Sequence, residues 1–134
     1  MILKLYSDGG ARGNPGPAGC GFVVYDQECK PVLQGKKYIG ETTNNQAEYK
    51  AMILGVHAIL GKFKPTDLEC YADSELLIKQ LKGEYKVKNK ELQPLHKKLK
   101  DFFKQIPEVR LFHIPREKNQ AADKLANEAM DTGL

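Results

Sequence analysis

Ile2-Leu3-Lys4-Leu5-Tyr6-Ser7-Asp8 and Leu68-Glu69-Cys70-Tyr71-Ala72-Asp73 are two short stretches that each run straight into an aspartate. Ile2 to Ser7 and Leu68 to Ala72 read as strands, because apolar, β-branched and aromatic residues recur without helical spacing. Two such strands lying in one sheet would bring their terminal aspartates side by side at the same edge, where α/β sheets place their ligands. The residues between and around them decide whether that sheet can form.

Working outward, Gly19 to Tyr25 and Val32 to Ile39 are further predicted strands, and the short turn Asp26 to Pro31 between them implies antiparallel pairing. After Thr42-Thr43-Asn44-Asn45 the period becomes helical, with Ala47, Ala51, Leu54, Ala58 and Met52, Ile59 recurring up to about Phe63. Thr43 or Asn44 suits the N-cap, where a side-chain oxygen accepts an orphan N–H. Beyond Asp73 the pattern predicts a short helix over Ser74 to Leu81 and a longer one striped by Leu92, Leu95, Leu99, Phe102, Phe103 and Ile106. A strand over Val109 to Ile114 and a closing helix over Asn119 to Met130 follow. Hairpins first and helical crossovers later define an α/β chain: a mixed sheet of about five strands with helices on its faces. No repeat, low-complexity tract or linker divides it, so residues 1-134 read as a single domain.

The composition agrees and excludes several classes. In 134 residues, 41% are apolar and 28% charged, enough for one buried core and too few residues for two. No apolar run reaches the ~18 residues of a membrane span, and Met1 to Lys4 lacks a signal-peptide layout, so the expected location is cytoplasmic with no membrane contact. Cys20, Cys29 and Cys70 form no Cys-x-x-Cys pair, which argues against zinc or a disulfide framework and for reduced thiols. The formal charge is +4, but it is uneven: nine lysines between Lys79 and Lys104 meet only Glu84, Glu91 and Asp101. That segment is either a solvated helix face or the contact for a polyanion.

Two further acids join the pair. Glu48 falls in the first turns of the long helix between Ala47 and Ala51, and Asp123 lies on the last helix among Ala121, Ala122, Leu125 and Ala126, so both can face inward. Partly buried carboxylates repel one another and are costly to desolvate unless cations neutralise them. Hard divalent ions with oxygen ligands meet that need, and four acids can hold two of them about 4 Å apart, spanning the oxygens of a phosphodiester. Taken singly, each acid is equally readable as a turn, capping or surface residue.

Four ordered motifs now carry a resemblance. Tyr6-Ser7-Asp8-Gly9-Gly10-Ala11-Arg12-Gly13-Asn14-Pro15-Gly16-Pro17-Ala18-Gly19, then Thr42-Thr43-Asn44-Asn45-Gln46-Ala47-Glu48, then Ala72-Asp73-Ser74-Glu75, then Asn119-Gln120-Ala121-Ala122-Asp123-Lys124-Leu125-Ala126 resemble type 1 ribonuclease H along essentially the whole chain. The resemblance implies the ribonuclease H-like fold, with sheet order 3-2-1-4-5. It also implies endonucleolytic cleavage of the RNA strand of RNA/DNA hybrids with two Mg²⁺ ions, Mn²⁺ able to substitute, leaving 5′-phosphate and 3′-hydroxyl ends. Asp8, Glu48, Asp73 and Asp123 match the family's metal-binding and catalytic acids. Asn14, Asn44 and Asn45 match residues that contact the hybrid's minor groove, and Thr43 matches a position that holds a DNA phosphate. Gly9 and Gly10, with Gly13 and Gly16, are expected to let a nucleic-acid strand approach the backbone closely. A generic phosphate loop is the weaker rival reading, since there is no Gly-Lys-Ser/Thr and no helix follows.

The chain departs from the family pattern twice. The stretch His113-Ile114-Pro115-Arg116-Glu117-Lys118-Asn119 is short, which puts His113 inside a strand and leaves Arg116 as the residue for the loop where many members carry a histidine. With no Trp, and only Gly83 to Lys90 joining two helices, the basic handle of some members is missing; Lys86, Lys88 and Lys90 would have to grip the DNA backbone instead. The expectation is a monomeric catalytic domain without a separate hybrid-binding domain or an obligate protein partner.

Overall fold

The computed structural model describes residues 1–133. In chain order it contains β1 (Ile2–Ala11), β2 (Gly16–Tyr25), β3 (Pro31–Thr42), α1 (Asn44–Lys62), β4 (Asp67–Ala72), α2 (Glu75–Leu81), α3 (Gln93–Phe103), β5 (Glu108–His113) and α4 (Gln120–Thr132). The five strands form one mixed sheet in the order β3-β2-β1-β4-β5. β1, β2 and β3 pair antiparallel, whereas β4 runs parallel to both β1 and β5. Tyr6 is in register with Tyr71, so the predicted alignment of the strands leading to Asp8 and Asp73 is present.

Each predicted element exists, and the differences lie at the ends. β1 does not stop at Ser7: Gly9 pairs with Cys20, Gly10 with Gly19 and Ala11 with Ala18, so Asp8 sits within the strand opposite Gly21. Gly-Gly normally punctuates a strand, but glycines on both partners here serve packing. A Cβ on Gly9 would lie 2.1 Å from the Ala47 carbonyl oxygen of α1. On the opposite sheet face, a Cβ on Gly21 would lie 2.4 Å from the Ala122 oxygen and one on Gly19 2.5 Å from the Ala126 oxygen, both of α4. Two helices therefore pack backbone to backbone on the β1–β2 hairpin. These glycines therefore also serve the protein's own packing, which the sequence did not suggest: Gly9 admits α1, and Gly16 fits against the Arg12 carbonyl of its own loop. Only Gly10 keeps open space, with the Met130 methyl 3.9 Å from where its Cβ would be.

Thr43 is the N-cap of α1, its hydroxyl accepting from the Gln46 N–H at 3.2 Å, while the Gln46 side chain reaches back to the Thr43 N–H to complete a capping box. Leu3, Leu5, Val24 and Leu68 from the sheet meet Met52, Val56 and Ile59 of α1, with Leu77, Ile78, Leu81 and Leu99 closing the core from α2 and α3. Each such fully buried aliphatic side chain contributes roughly 1.5–3 kcal/mol. α3 follows its predicted stripe, but of its residues only Leu99 is fully buried; Leu95, Phe102 and Phe103 pack half-covered against the core.

Because the Gly9 contact involves backbone on both sides, Gly9→Ala is expected to cost at least about 3 kcal/mol. Gly61 in α1 has no neighbour within 4 Å of an added Cβ, so Gly61→Ala should stabilise by about 0.5–1 kcal/mol through helix propensity. Urea midpoints of the two variants should move in opposite directions, and a shared direction would contradict the packing argument.

Candidate active site

Three elements converge around Asp8 of β1. Asp8, 7% exposed, projects from the strand itself. Asp73 follows β4 directly, and because Ser74 caps α2 with its hydroxyl accepting from the Leu77 N–H at 3.2 Å, Asp73 is left free to face the cleft. Glu48 comes from the second turn of α1, where the glycine contact holds the helix against β1; the Gly9 N–H donates to Glu48 Oε1 at 3.1 Å. One carboxylate oxygen from each of Asp8, Glu48 and Asp73 lies within 4.8 Å of the others.

Asp123 comes from α4 and lines the same cleft, outside the group of three carboxylates that lie within 4.8 Å of one another. Its Oδ1 accepts from Arg116 Nη2 at 3.4 Å, so the loop arginine belongs to the same group. His113 ends β5 with its side chain exposed. The acids, Gly9, Gly10, Asn44 and Arg116 line a cleft of about 300 Å³.

The remaining expected contact residues lie outside this cleft, and two of them, Asn14 and Thr43, have structural duties. Asn14 Oδ1 accepts from the Asn44 N–H at 3.0 Å, and Asn44 Oδ1 accepts from the Ala11 N–H at 2.8 Å, which ties the glycine loop to the start of α1. Thr43 is engaged in its cap, while Asn45 is exposed. Lys86, Lys88 and Lys90 are exposed on the α2–α3 connection. That connection is anchored by buried Gln80, which accepts from the Tyr49 hydroxyl at 2.7 Å and donates to the Lys86 carbonyl at 3.4 Å.

Sequence reasoning assigned no role to Arg12, Asn127 or Met130, which also line the cleft. Asn127 lies four residues after Asp123, a spacing that does put both on one helix face, and its side-chain amide donates to the Asp123 carbonyl at 3.0 Å. Asn119, 1% exposed, donates to the Ser7 carbonyl at 2.9 Å and so pins the start of α4 beside Asp8.

Crowding shows in the electrostatics. Burial first, then the charges of Glu48 and Asp73, push the Asp8 carboxyl up to about 9; Glu48 rises to about 8 through burial and Asp73, partly opposed by its Gly9 hydrogen bond. The donor set is all carboxylate oxygen, which fits a hard divalent cation and offers nothing to a thiophilic metal.

Comparison with known proteins places this geometry. A family model described as reverse transcriptase-like matches residues 6–129. The ribonuclease HI of Halobacterium salinarum is 39% identical over 129 residues, covering 96% of this chain and 64% of that protein. The crystal structure of the Halobacterium salinarum RNase H1 matches with TM-score 0.94 at 37% identity over 98% of this chain and 99% of that one. The chain belongs to the ribonuclease H family. LC11-RNase H1, solved in complex with an RNA/DNA hybrid, is a second ribonuclease H neighbour, with TM-score 0.93, 42% identity and 98% of both chains covered. A bifunctional protein of Mycobacterium tuberculosis is 39% identical over 132 residues, 98% of this chain but 36% of its own length. The chain thus spans about a third of the mycobacterial relative and just under two thirds of the archaeal one. No helix among the described residues is long and apolar enough to cross a membrane.

The raised carboxyls set a pH dependence. Asp8 and Glu48 hold protons more tightly folded than unfolded, so in chelator their contribution to stability is complete below about pH 4 and is lost as pH climbs toward 8–9. Asp8→Asn should melt with wild type at pH 4 and about 3–6 °C above it at pH 9. Millimolar Mg²⁺ should raise the wild-type melting temperature at pH 8 and the variant's much less; equal Mg²⁺ responses would contradict a preformed repulsive site.

Proposed function

We propose that this ribonuclease H domain is a metal-dependent endoribonuclease that hydrolyses the RNA strand of RNA/DNA hybrids, leaving 5′-phosphate and 3′-hydroxyl ends. The observation that carries this reading is the convergence of Asp8, Glu48 and Asp73 within 4.8 Å, in a chain similar over nearly its whole length to an enzyme solved with such a hybrid. Two Mg²⁺ ions, replaceable by Mn²⁺ and held by Asp8, Glu48, Asp73 and Asp123, supply Lewis-acid stabilisation of the attacking and leaving oxygens when bound.

The protein's own groups supply the rest. Hydrolysis joins a water oxygen to phosphorus and breaks the bond to O3′, which leaves as a hydroxyl. Gly9 fixes the Glu48 carboxylate through its N–H, and Asn119 fixes the start of the helix that carries Asp123 against β1. Arg116 keeps its proton at neutral pH, so its part is to orient phosphate or speed product departure. The Asn14, Asn44 and Asn45 amides offer both donor and acceptor to ribose 2′-hydroxyls along with the Gly9-Gly10 backbone. Thr43 holds a DNA-strand phosphate, and Lys86, Lys88 and Lys90 track the DNA backbone. The domain acts as a monomer in the cytoplasm, in keeping with three free cysteines, of which Cys29 is exposed.

With a labelled hybrid and Mg²⁺, Asp8→Asn, Glu48→Gln and Asp73→Asn should each lower cleavage by at least about 100-fold. Arg116→Ala should lose about tenfold, in part restored by Lys. Replacing Lys86, Lys88 and Lys90 together by Ala should raise KM and reduce the logarithmic salt slope by about 2–3. Duplex DNA cut faster than hybrid, or wild-type rates in the acid variants, would reject the proposal.

A further inference from the structure

We propose that the cavity between β3, α1 and α3 is a docking site for an acidic peptide segment that carries apolar anchor side chains. The cavity, about 570 Å³, has a floor of Leu54, Leu95 and Phe102 and a rim of Lys37, Lys50 and Lys98. It shares no lining residue with the acid cleft, and the proposal is independent of the metal site.

The rim charges stand out against their own neighbours. Lys36 pairs with Glu128 at 3.3 Å and Lys97 with Asp101 at 2.9 Å. Lys37 and Lys98, one residue further along the same elements, turn toward the cavity. Neither they nor Lys50 have an acid within ion-pair distance among the described residues, and no acid lines the cavity. Lysines gathered around an apolar hollow repel one another, and an anionic partner relieves that repulsion.

The floor sets the rest of the ligand's chemistry. Leu54, Leu95 and Phe102 pack on the core yet remain half-covered, and His57 lies against Phe102 with ring centroids 5.9 Å apart. The volume falls within the range of ligand pockets and accommodates apolar side chains. A phosphodiester backbone would use the lysines and leave the floor wet, whereas carboxylates preceding a leucine and a phenylalanine use both. A peptide is therefore favoured over nucleic acid.

The test is fluorescence anisotropy on the whole chain with two fluorescein-labelled probes, Asp-Glu-Asp-Glu-Leu-Phe and Asp-Glu-Asp-Glu-Ser-Ser. The first should bind in the micromolar range and the second at least about tenfold more weakly, since only the first fills the floor. Lys37→Glu with Lys98→Glu should weaken the first probe at least about tenfold. Lys36→Glu with Lys97→Glu, an equal change in net charge, should leave it within about twofold of wild type. Equal losses in both double variants, equal binding of both probes, or no binding would overturn the proposal. Displacement of the peptide by a twelve-nucleotide single strand whose own affinity falls in Lys37→Glu with Lys98→Glu would overturn it in favour of a nucleic-acid subsite.

Discussion

The close packing of two helices onto one glycine-bearing hairpin is the constraint from which the site follows. The Ala47 carbonyl of α1 occupies the space a Gly9 side chain would need, and the Ala122 carbonyl of α4 occupies that of Gly21. Gly9 lies next to Asp8, and Gly21 is the cross-strand partner of Asp8. The contacts that bring the helices down are thus the ones that bring Glu48 and Asp123 toward Asp8. A helix held a few ångströms higher by ordinary side chains would separate the acids, and the mutual repulsion would vanish along with any capacity to share a cation. The apolar core between the sheet, α1 and α3 offsets the cost of keeping the carboxylates together.

Much of this was legible in the sequence for identifiable reasons. The two strands leading to Asp8 and Asp73 announced themselves by composition, and their terminal acids made the parallel pairing chemically informative. α1 was readable from its period and from Thr43, whose capping box with Gln46 is a local device. Less visible was anything that depends on a distant backbone. Gly9 and Gly10 read as a break in β1, since nothing local reveals that a helix more than thirty residues later needs the space. The burial of Asn119 against the Ser7 carbonyl and the Tyr49–Gln80–Lys86 chain of hydrogen bonds were hidden for the same reason.

Charge illustrates the difference between composition and placement. The lysines between Lys79 and Lys104 form one cluster in the sequence, yet the fold distributes them among separate tasks. Lys79 and Lys97 pair with acids on their own helices, and Lys104, just past α3, pairs with Asp101 of that helix. Lys100 caps the Leu81 carbonyl at 2.9 Å, Lys98 borders the cavity beside α3, and Lys86, Lys88 and Lys90 stand exposed on the connection. Surface ion pairs of the first kind contribute little to stability. Within this segment, the lysines left without an acid stand on the α2–α3 connection, against the Leu81 carbonyl and beside the apolar hollow.

The central claim is that the four acids form a single divalent-cation site. Anomalous diffraction from crystals grown with Mn²⁺ and a short RNA/DNA hybrid measures this directly. The account predicts two Mn²⁺ peaks, both liganded by carboxylates drawn from Asp8, Glu48, Asp73 and Asp123. Hybrid bound across the cleft with Mn²⁺ elsewhere, or with those carboxylates turned away from the metal, would contradict it.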